Sequence, residues 1–325
     1  MSRAGDRIAR EAFRAGWRGV RRMPAARAYG LFAALADAAY LRDTRDVRRL
    51  RANYARVRPE VDSEQLEALV RAGMRSYLRY WCEAFRLPDM TVGQIAASVR
   101  AVGTGPHRAE LAAGGSVVCF LGHLGNWDLA GAWSTTQFGP VTTVAERLRP
   151  EALYDEFVAF RRRLGLEVLP LTGGAPPFPA LVETVRLGGA VVALLADRDL
   201  TAQGVAVDFC GLPARMAAGP AALAVATGAV LAPVSVHYEP APRRELPGGY
   251  RTVVTFHDRV QDPGAGRTRA RVEAMTQACA DVLTAAVGTH THDWHMMQRV
   301  FTDEAPPELI APRRRRRGEP PGGAA

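Results

Sequence analysis

The chain has 325 residues, 48% hydrophobic and 23% charged, so it can bury a large core and is not an intrinsically disordered protein. Its 42 basic residues, all of them Arg, outnumber 33 acidic residues and give a formal net charge of +9. This excess favours an anionic partner, which is a nucleic acid, an anionic membrane surface or a phosphorylated substrate.

Residues 1–100 are predicted to form an N-terminal helical region, because apolar residues recur at spacings of three and four. In the opening segment, six arginines are spaced so that a helix would place them on one face, opposite a side that contains Trp17. They are Arg3, Arg7, Arg10, Arg14, Arg18 and Arg21. Such a helix can lie in a membrane interface, or it can dock on the core with a solvated Arg face, and the two interpretations are compatible.

Residues 101–305 are predicted to form an α/β core, because short apolar runs alternate with helical stretches. Continuous apolar strands need cover on both faces, so we expect a mixed, mostly buried sheet flanked by helices. The predicted strands are 116–122, 140–145, 166–171, 190–196, 229–236 and 252–257. The predicted helices include 150–164, 177–187, 220–227 and 268–287.

Two further segments bear on the membrane question. Residues 216–236 carry no charge, but their Gly and Pro positions favour a core helix followed by a strand over a membrane span. Residues 306–325 contain five consecutive arginines followed by Pro and Gly, and they are predicted to be a disordered tail. Any membrane contact is therefore expected to be peripheral.

The cysteines and histidines give no sign of a metal site. Four widely scattered cysteines without CxxC spacing predict buried thiols in a reducing compartment. His292 and His295 are close together near the chain end, without the Cys or carboxylate ligands that a metal site needs. We therefore predict no metal and no cofactor.

The sequence HLGNWD, residues 123–128, contains the candidate catalytic residues. The strand before it would deliver His123 to the carboxyl edge of the sheet, and Asn126 could cap a helix whose first turn holds Asp128. Asp128 could accept a hydrogen bond from one ring nitrogen of His123 and leave the other free to take a proton from a hydroxyl. The chain has no GxSxG and no Cys in a catalytic context, so direct attack by a substrate hydroxyl on an activated acyl group fits better than a covalent acyl-enzyme.

HLGNWD resembles the HxxxxD motif of glycerolipid and lipid A type acyltransferases, particularly the HtrB-like branch. Residues 144–165, 194–200 and 207–234 are similar to that branch's later blocks in order and spacing. GWRGVRRMP at 16–24 and WHMMQRVFTD at 294–303 resemble the actinobacterial phosphatidylinositol mannoside acyltransferases more than the lipid A enzymes. The resemblance covers nearly all of residues 8–303.

The resemblance implies roles for individual residues. His123 would be the general base, and either Asp128 or Asp197 would be its carboxylate partner, where the mannoside branch is expected to have Glu at the second position. Arg161 would pair with a phosphate or with Glu146. The residues implied to bind substrate are Asn126, Glu146, Arg147, Arg161 and Arg198.

Two finer placements also follow from the resemblance. Arg198 and Asp199 could form an internal pair that fixes the Asp197 loop. Phe209 and Met216 are candidates to line an acyl channel, with ordinary packing in the hydrophobic core as the alternative.

The implied function is transfer of a long-chain acyl group from acyl-CoA, as co-substrate, to a mannose hydroxyl of a phosphatidylinositol mannoside. The protein would be peripheral on the cytoplasmic face of the plasma (inner) membrane, with the glycolipid and an anionic membrane surface as partners. An alternative is another lipid acceptor, of the lipid A or glycerol phosphate type. A basic nucleic-acid-binding protein is a further alternative, but it leaves HLGNWD unexplained and lacks a nucleic-acid motif, so we expect no nucleic-acid partner.

Overall fold

A computed structural model describes residues 16–146, 151–172, 175–199 and 204–302. The first four arginines of the opening stripe, Arg147 and the predicted tail 306–325 lie outside these residues.

The N-terminal region is helical, as predicted. After helical residues 16–22 come four helices, α1 (Ala25–Leu41), α2 (Arg45–Val57), α3 (Ser63–Arg86) and α4 (Val92–Ser98). The longest of them, α3, starts at a capping box: the Asp62 carboxylate accepts from the backbone N–H of Gln65, whose side chain accepts from the backbone N–H of Asp62. This satisfies two N–H groups that the first turn would otherwise leave without partners.

The core is a seven-stranded sheet. Its strands are β1 (Val99–Val102), β2 (Val117–Leu121), β3 (Val141–Ala145), β4 (Leu166–Pro170), β5 (Val191–Leu195), β8 (Val230–Pro240) and β9 (Tyr250–Phe256). They lie in the order β1-β9-β8-β2-β5-β3-β4. Neighbouring strands are parallel except β8 and β9, so β9 and β1 run antiparallel to the other five. The six predicted strands are confirmed, while β1 was not predicted.

Helices cover both faces of this sheet. They are α5 (Gly105–Ala112), α6 (Trp127–Gln137), α7 (Glu151–Arg163), α8 (Pro177–Leu187), α9 (Gly219–Thr227) and α10 (Thr268–Thr289). Strand β2 is buried on both faces: Val118 and Phe120 belong to the hydrophobic cluster that includes residues of α9 and α10, and Cys119 and Leu121 to the one that includes residues of α6. This two-sided burial explains why the strand is apolar without alternation.

A short hairpin follows β5 and was not predicted. Strands β6 (Val205–Phe209) and β7 (Leu212–Met216) pair antiparallel through a two-residue turn in which Cys210 and Gly211 both have positive φ. Cys210 is therefore half-buried, whereas the other three cysteines are buried as predicted. Among the described residues, none of the helices combines the length and the hydrophobicity that a membrane-spanning helix requires.

Candidate active site

The HLGNWD loop connects β2 to α6 at the carboxyl edge of the sheet. Asn126 caps α6 as predicted, since its side-chain oxygen accepts from the backbone N–H of Leu129 at 2.9 Å. Gly125 has a φ of +55°, and a Cβ at this position would lie 2.9 Å from the carbonyl of Val236. The glycine thus lets the loop turn tightly against β8 and present His123 at the sheet edge.

Asp197, in the loop after β5, is the carboxylate bonded to His123. The Nδ1–H of His123 donates to Asp197 Oδ1 at 2.6 Å, and the backbone N–H of His123 donates to Oδ2 at 2.8 Å. The indole N–H of Trp294 also donates to Oδ2, at 3.0 Å. Burial would raise the pKa of Asp197, but the charge of His123 and these hydrogen bonds outweigh it and hold that pKa below its usual value. The carboxylate therefore stays ionised and fixes His123 with Nε2 as the basic nitrogen.

Asp128 lies in the first turn of α6 and has different partners. Its carboxylate accepts from the phenol of Tyr80 at 2.8 Å and from Arg161 Nε and Nη2 at 2.7 and 3.3 Å. Burial would lower the pKa of Arg161, but the charge of Asp128 and its hydrogen bond raise it above its usual value. Arg161 thus pairs with Asp128, not with Glu146, and joins α7 to the start of α6.

A segment near the end of the described chain, residues 291–297, forms hydrogen bonds with the HLGNWD loop. The backbone N–H of Gly125 donates to Asp293 O at 2.9 Å, and the backbone N–H of His295 donates to His123 O at 2.8 Å. The Asp293 carboxylate is fully buried and accepts from the Ser76 hydroxyl and from the backbone N–H of Tyr238. The segment therefore ties the loop to α3 and to β8.

The supporting role of residues 291–297 was not predicted from the sequence. The WHMM block could have indicated it, because buried polar residues near the end of a chain need hydrogen-bond partners elsewhere in the fold.

The amide nitrogen of Asn126 also has a hydrogen-bond partner. Its Nδ2 donates to Glu83 Oε2 at 2.8 Å, and the same oxygen accepts from the phenol of Tyr238 at 2.7 Å. Burial raises the pKa of Glu83. Asn126 is fully buried, so it supports the loop from within the protein.

Two of the remaining predicted substrate residues, Glu146 and Arg198, lie close together beside the Asp197 loop. Arg198 forms an ion pair with Glu146 at 3.5 Å and contacts Gln298, while Asp199 pairs with Arg215 at 3.5 Å. The predicted Arg198–Asp199 pairing is therefore replaced by two separate pairings. Burial lowers the pKa of Arg198 from its usual value.

An apolar cavity of about 70 Å³ lies between the sheet and α6. Trp127, Asp128 and Arg161 line its polar part, and side chains such as Leu121 and Val234 line the rest. Phe209 and Met216, the candidates for an acyl channel, are fully buried in the hydrophobic cluster on the other face of the sheet. In the ranges that the structure describes, no cluster of three or more His, Cys, Asp and Glu side chains could hold a metal.

Comparison with known proteins gives consistent matches over most of the chain. A sequence profile of the family described as bacterial lipid A biosynthesis acyltransferase matches residues 8–303. A phosphatidylinositol mannoside acyltransferase of Mycolicibacterium smegmatis is 43% identical over 295 residues, which are 90% of this chain and 91% of that protein. A phosphatidylinositol mannoside acyltransferase of Mycobacterium tuberculosis is 42% identical over 290 residues, which are 88% of this chain and 86% of that protein.

Proposed function

The chain is an acyltransferase of the bacterial lipid A biosynthesis acyltransferase family, and we propose that it transfers a long-chain acyl group from acyl-CoA to a mannose hydroxyl of a phosphatidylinositol mannoside. The main structural support for this reaction is the 2.6 Å hydrogen bond between His123 and the buried Asp197 at the carboxyl edge of the sheet. The names of the relatives at 42–43% identity support the acceptor.

In the proposed reaction His123 acts as a general base. Its Nε2 takes the proton of the acceptor hydroxyl, whose oxygen attacks the thioester carbonyl and forms the new ester bond as the carbon–sulfur bond breaks. The imidazolium then returns the proton to the departing coenzyme A sulfur, while Asp197 stabilises the positive ring. Burial raises the pKa of the Cys119 thiol to about 12, which argues against a thiolate nucleophile there.

The apolar cavity beneath Trp127 supports an acyl-chain site. Its volume of about 70 Å³ is several times the roughly 10–15 Å³ that one water molecule needs. An acyl chain bound there would lie against apolar side chains of α6 and of the sheet.

The acceptor is tested by a thiol-release assay with purified protein and palmitoyl-CoA. Separate reactions contain phosphatidylinositol mannoside, a lipid A precursor, or no acceptor, and the lipid products are identified by mass spectrometry. We expect release that depends on the mannoside and is lost in His123→Ala. His257→Ala is the matched control, since His257 is a half-buried histidine that bonds Ser235 outside the site.

The alternative acceptor has one observation in its favour, which is the lipid A description of the matching family. Acylation of the lipid A precursor in preference to the mannoside would overturn the proposed acceptor while leaving the base mechanism intact. Retained turnover in a folded His123→Ala protein would overturn the mechanism.

We further propose that the protein binds the cytoplasmic face of the plasma membrane peripherally. In the described part of the opening helix, Trp17 is buried and donates to Phe85 O at 2.8 Å, while Arg18 is exposed. This agrees with a helix that docks on the core through its apolar face. On the next helix, Leu31 and Leu35 are 41% and 47% exposed one turn apart.

Vesicle co-sedimentation tests the membrane proposal. Leu31→Glu with Leu35→Glu is expected to weaken binding to anionic vesicles, because the exposed leucines would no longer insert among the lipids. Leu187→Glu, which changes a leucine that is 82% exposed on α8, is the matched control. Equal binding by all three proteins would contradict this membrane surface.

A further inference from the structure

A hydrogen-bond chain next to the loop fixes the tautomer of His295. Ser76 Oγ lies 2.6 Å from Asp293 Oδ1 and 2.9 Å from His295 Nε2. The single hydroxyl proton of Ser76 points to the Asp293 carboxylate, which can only accept. Ser76 must then accept from His295, so His295 carries its proton on Nε2 and has a lone pair on Nδ1.

The Nδ1 lone pair of His295 has no partner in the described part of the chain. His295 is 5% exposed, and no described group donates to this buried atom. A buried acceptor without a donor costs free energy, and most such atoms in proteins have a partner. Burial is the main cause that lowers the pKa of His295 well below its usual value, so the ring stays neutral and Nδ1 remains an acceptor at physiological pH.

The backbone and the ring of His295 lie close to the proposed base. Its backbone N–H donates to His123 O at 2.8 Å. Its ring centroid lies 5.9 Å from that of Trp127, which in turn lies 5.5 Å from that of His123. The rings of His295 and His123 are thus two contacts of the same tryptophan.

We propose that His295 Nδ1 accepts a hydrogen bond from a substrate bound beside His123. The donor is an O–H or N–H group, either a sugar hydroxyl of the acceptor or an amide of the pantetheine arm of the acyl donor. This inference rests on the proposed function and adds a binding residue to it. Ser76 and Asp293 are positioning residues, because they act through the His295 ring.

Two substitutions distinguish the roles of the two ring nitrogens of His295. In His295→Gln the side-chain amide reaches the place of Nε2, so it keeps the bond to Ser76 and removes the acceptor. In His295→Asn the side-chain oxygen takes the place of Nδ1, so it keeps the acceptor and loses the bond to Ser76. If His295 only supports the fold, the Gln variant should therefore behave more like the wild type than the Asn variant. If His295 binds substrate, the Asn variant should bind substrate more like the wild type.

The measurements are KM and kcat for palmitoyl-CoA and for phosphatidylinositol mannoside, with the melting temperature as a readout of the fold. We expect His295→Gln to keep the wild-type melting temperature and to raise one KM roughly 10-fold, as for a donor left without an acceptor in a buried site. His295→Asn is expected to have a lower melting temperature and a KM near that of the wild type. The substrate whose KM changes is the source of the donor group.

The opposite ranking, or equal KM values in the wild type and both variants, would overturn the inference. Wild-type protein that does not acylate the mannoside would instead refute the proposed acceptor. In that case the same ranking is read from calorimetric binding of palmitoyl-CoA and of the lipid A precursor, and no difference between the Gln and Asn variants with either ligand overturns the role of His295.

Discussion

Asp197→Asn is expected to remove the base from His123 while preserving the fold. The Oδ2 position of Asp197 accepts two N–H groups, from the His123 backbone and the Trp294 indole. An asparagine in this site places its oxygen there, because an NH₂ group at that position would face two donors. Its NH₂ group then points at His123 Nδ1, which has to become an acceptor, so the ring proton moves to Nε2 and the base is lost.

We expect kcat to fall by a factor of roughly 10²–10⁴. This range covers the loss of a positioned general base and the loss caused by a histidine held in the wrong tautomer. At 1.36 kcal/mol per tenfold change, this corresponds to about 3–5 kcal/mol of transition-state stabilisation. The assay is palmitoyl-CoA thiol release at saturating acceptor, with circular dichroism to confirm folding. KM should change little, because the change acts on a proton and not on a binding contact.

Asp208→Asn is the control for Asp197→Asn. Asp208 is exposed on β6, where its carboxylate accepts from the backbone N–H of Gly211, so the substitution is expected to leave kcat unchanged. A folded Asp197→Asn protein with wild-type kcat would refute the argument that the carboxylate sets the tautomer of His123.

Three further outcomes follow from the structure. Asp128→Asn should destabilise the protein by about 3–5 kcal/mol in urea unfolding, because it leaves the Arg161 charge buried without its partner; a stability within 1 kcal/mol, on the order of an exposed pair, would contradict this. Gly125→Ala should lower the melting temperature and the activity, because its φ is positive and its Cβ would contact backbone, whereas Gly219→Ala, which has open space, should do neither. Burial and a stacked neighbouring histidine lower the pKa of His237 to about 4 from 6.5, so the unfolded chain binds the extra proton between these values. Stability should therefore fall as the pH falls from 6.5 to 4, and His237→Asn should flatten that part of the profile; parallel profiles would exclude this origin.

Much of the sheet and the placement of the loop could be predicted from the sequence. Runs such as 116–122 are apolar without alternation because β2 is covered on both faces, and this pattern is visible in one chain. The capping role of Asn126 could also be predicted, because capping depends on residues within one turn. The hairpin of β6 and β7 was missed, although Val205, Val207 and Phe209 alternate with exposed residues.

The partners of the two aspartates could not be decided from the sequence. Asp128 is near His123 in the chain, but α6 directs its carboxylate to Tyr80 and Arg161. Asp197 is far from His123 in the chain, and only the pairing of β2 with β5 brings the two strand ends together. Local spacing suggests the first pairing, and the second becomes visible only once the register of the sheet is known.

The hydrogen bonds between the loop and residues 291–297 also set an order of events during synthesis. The ribosome releases the chain from its amino end, so His123 leaves the tunnel long before Asp293 and His295. Until then Gly125 N–H and His123 O lack their backbone partners, and Asp197 lacks the Trp294 indole. A nascent chain can therefore pair β2 with β5 before the hydrogen bonds that hold the HLGNWD loop to the distal segment are able to form.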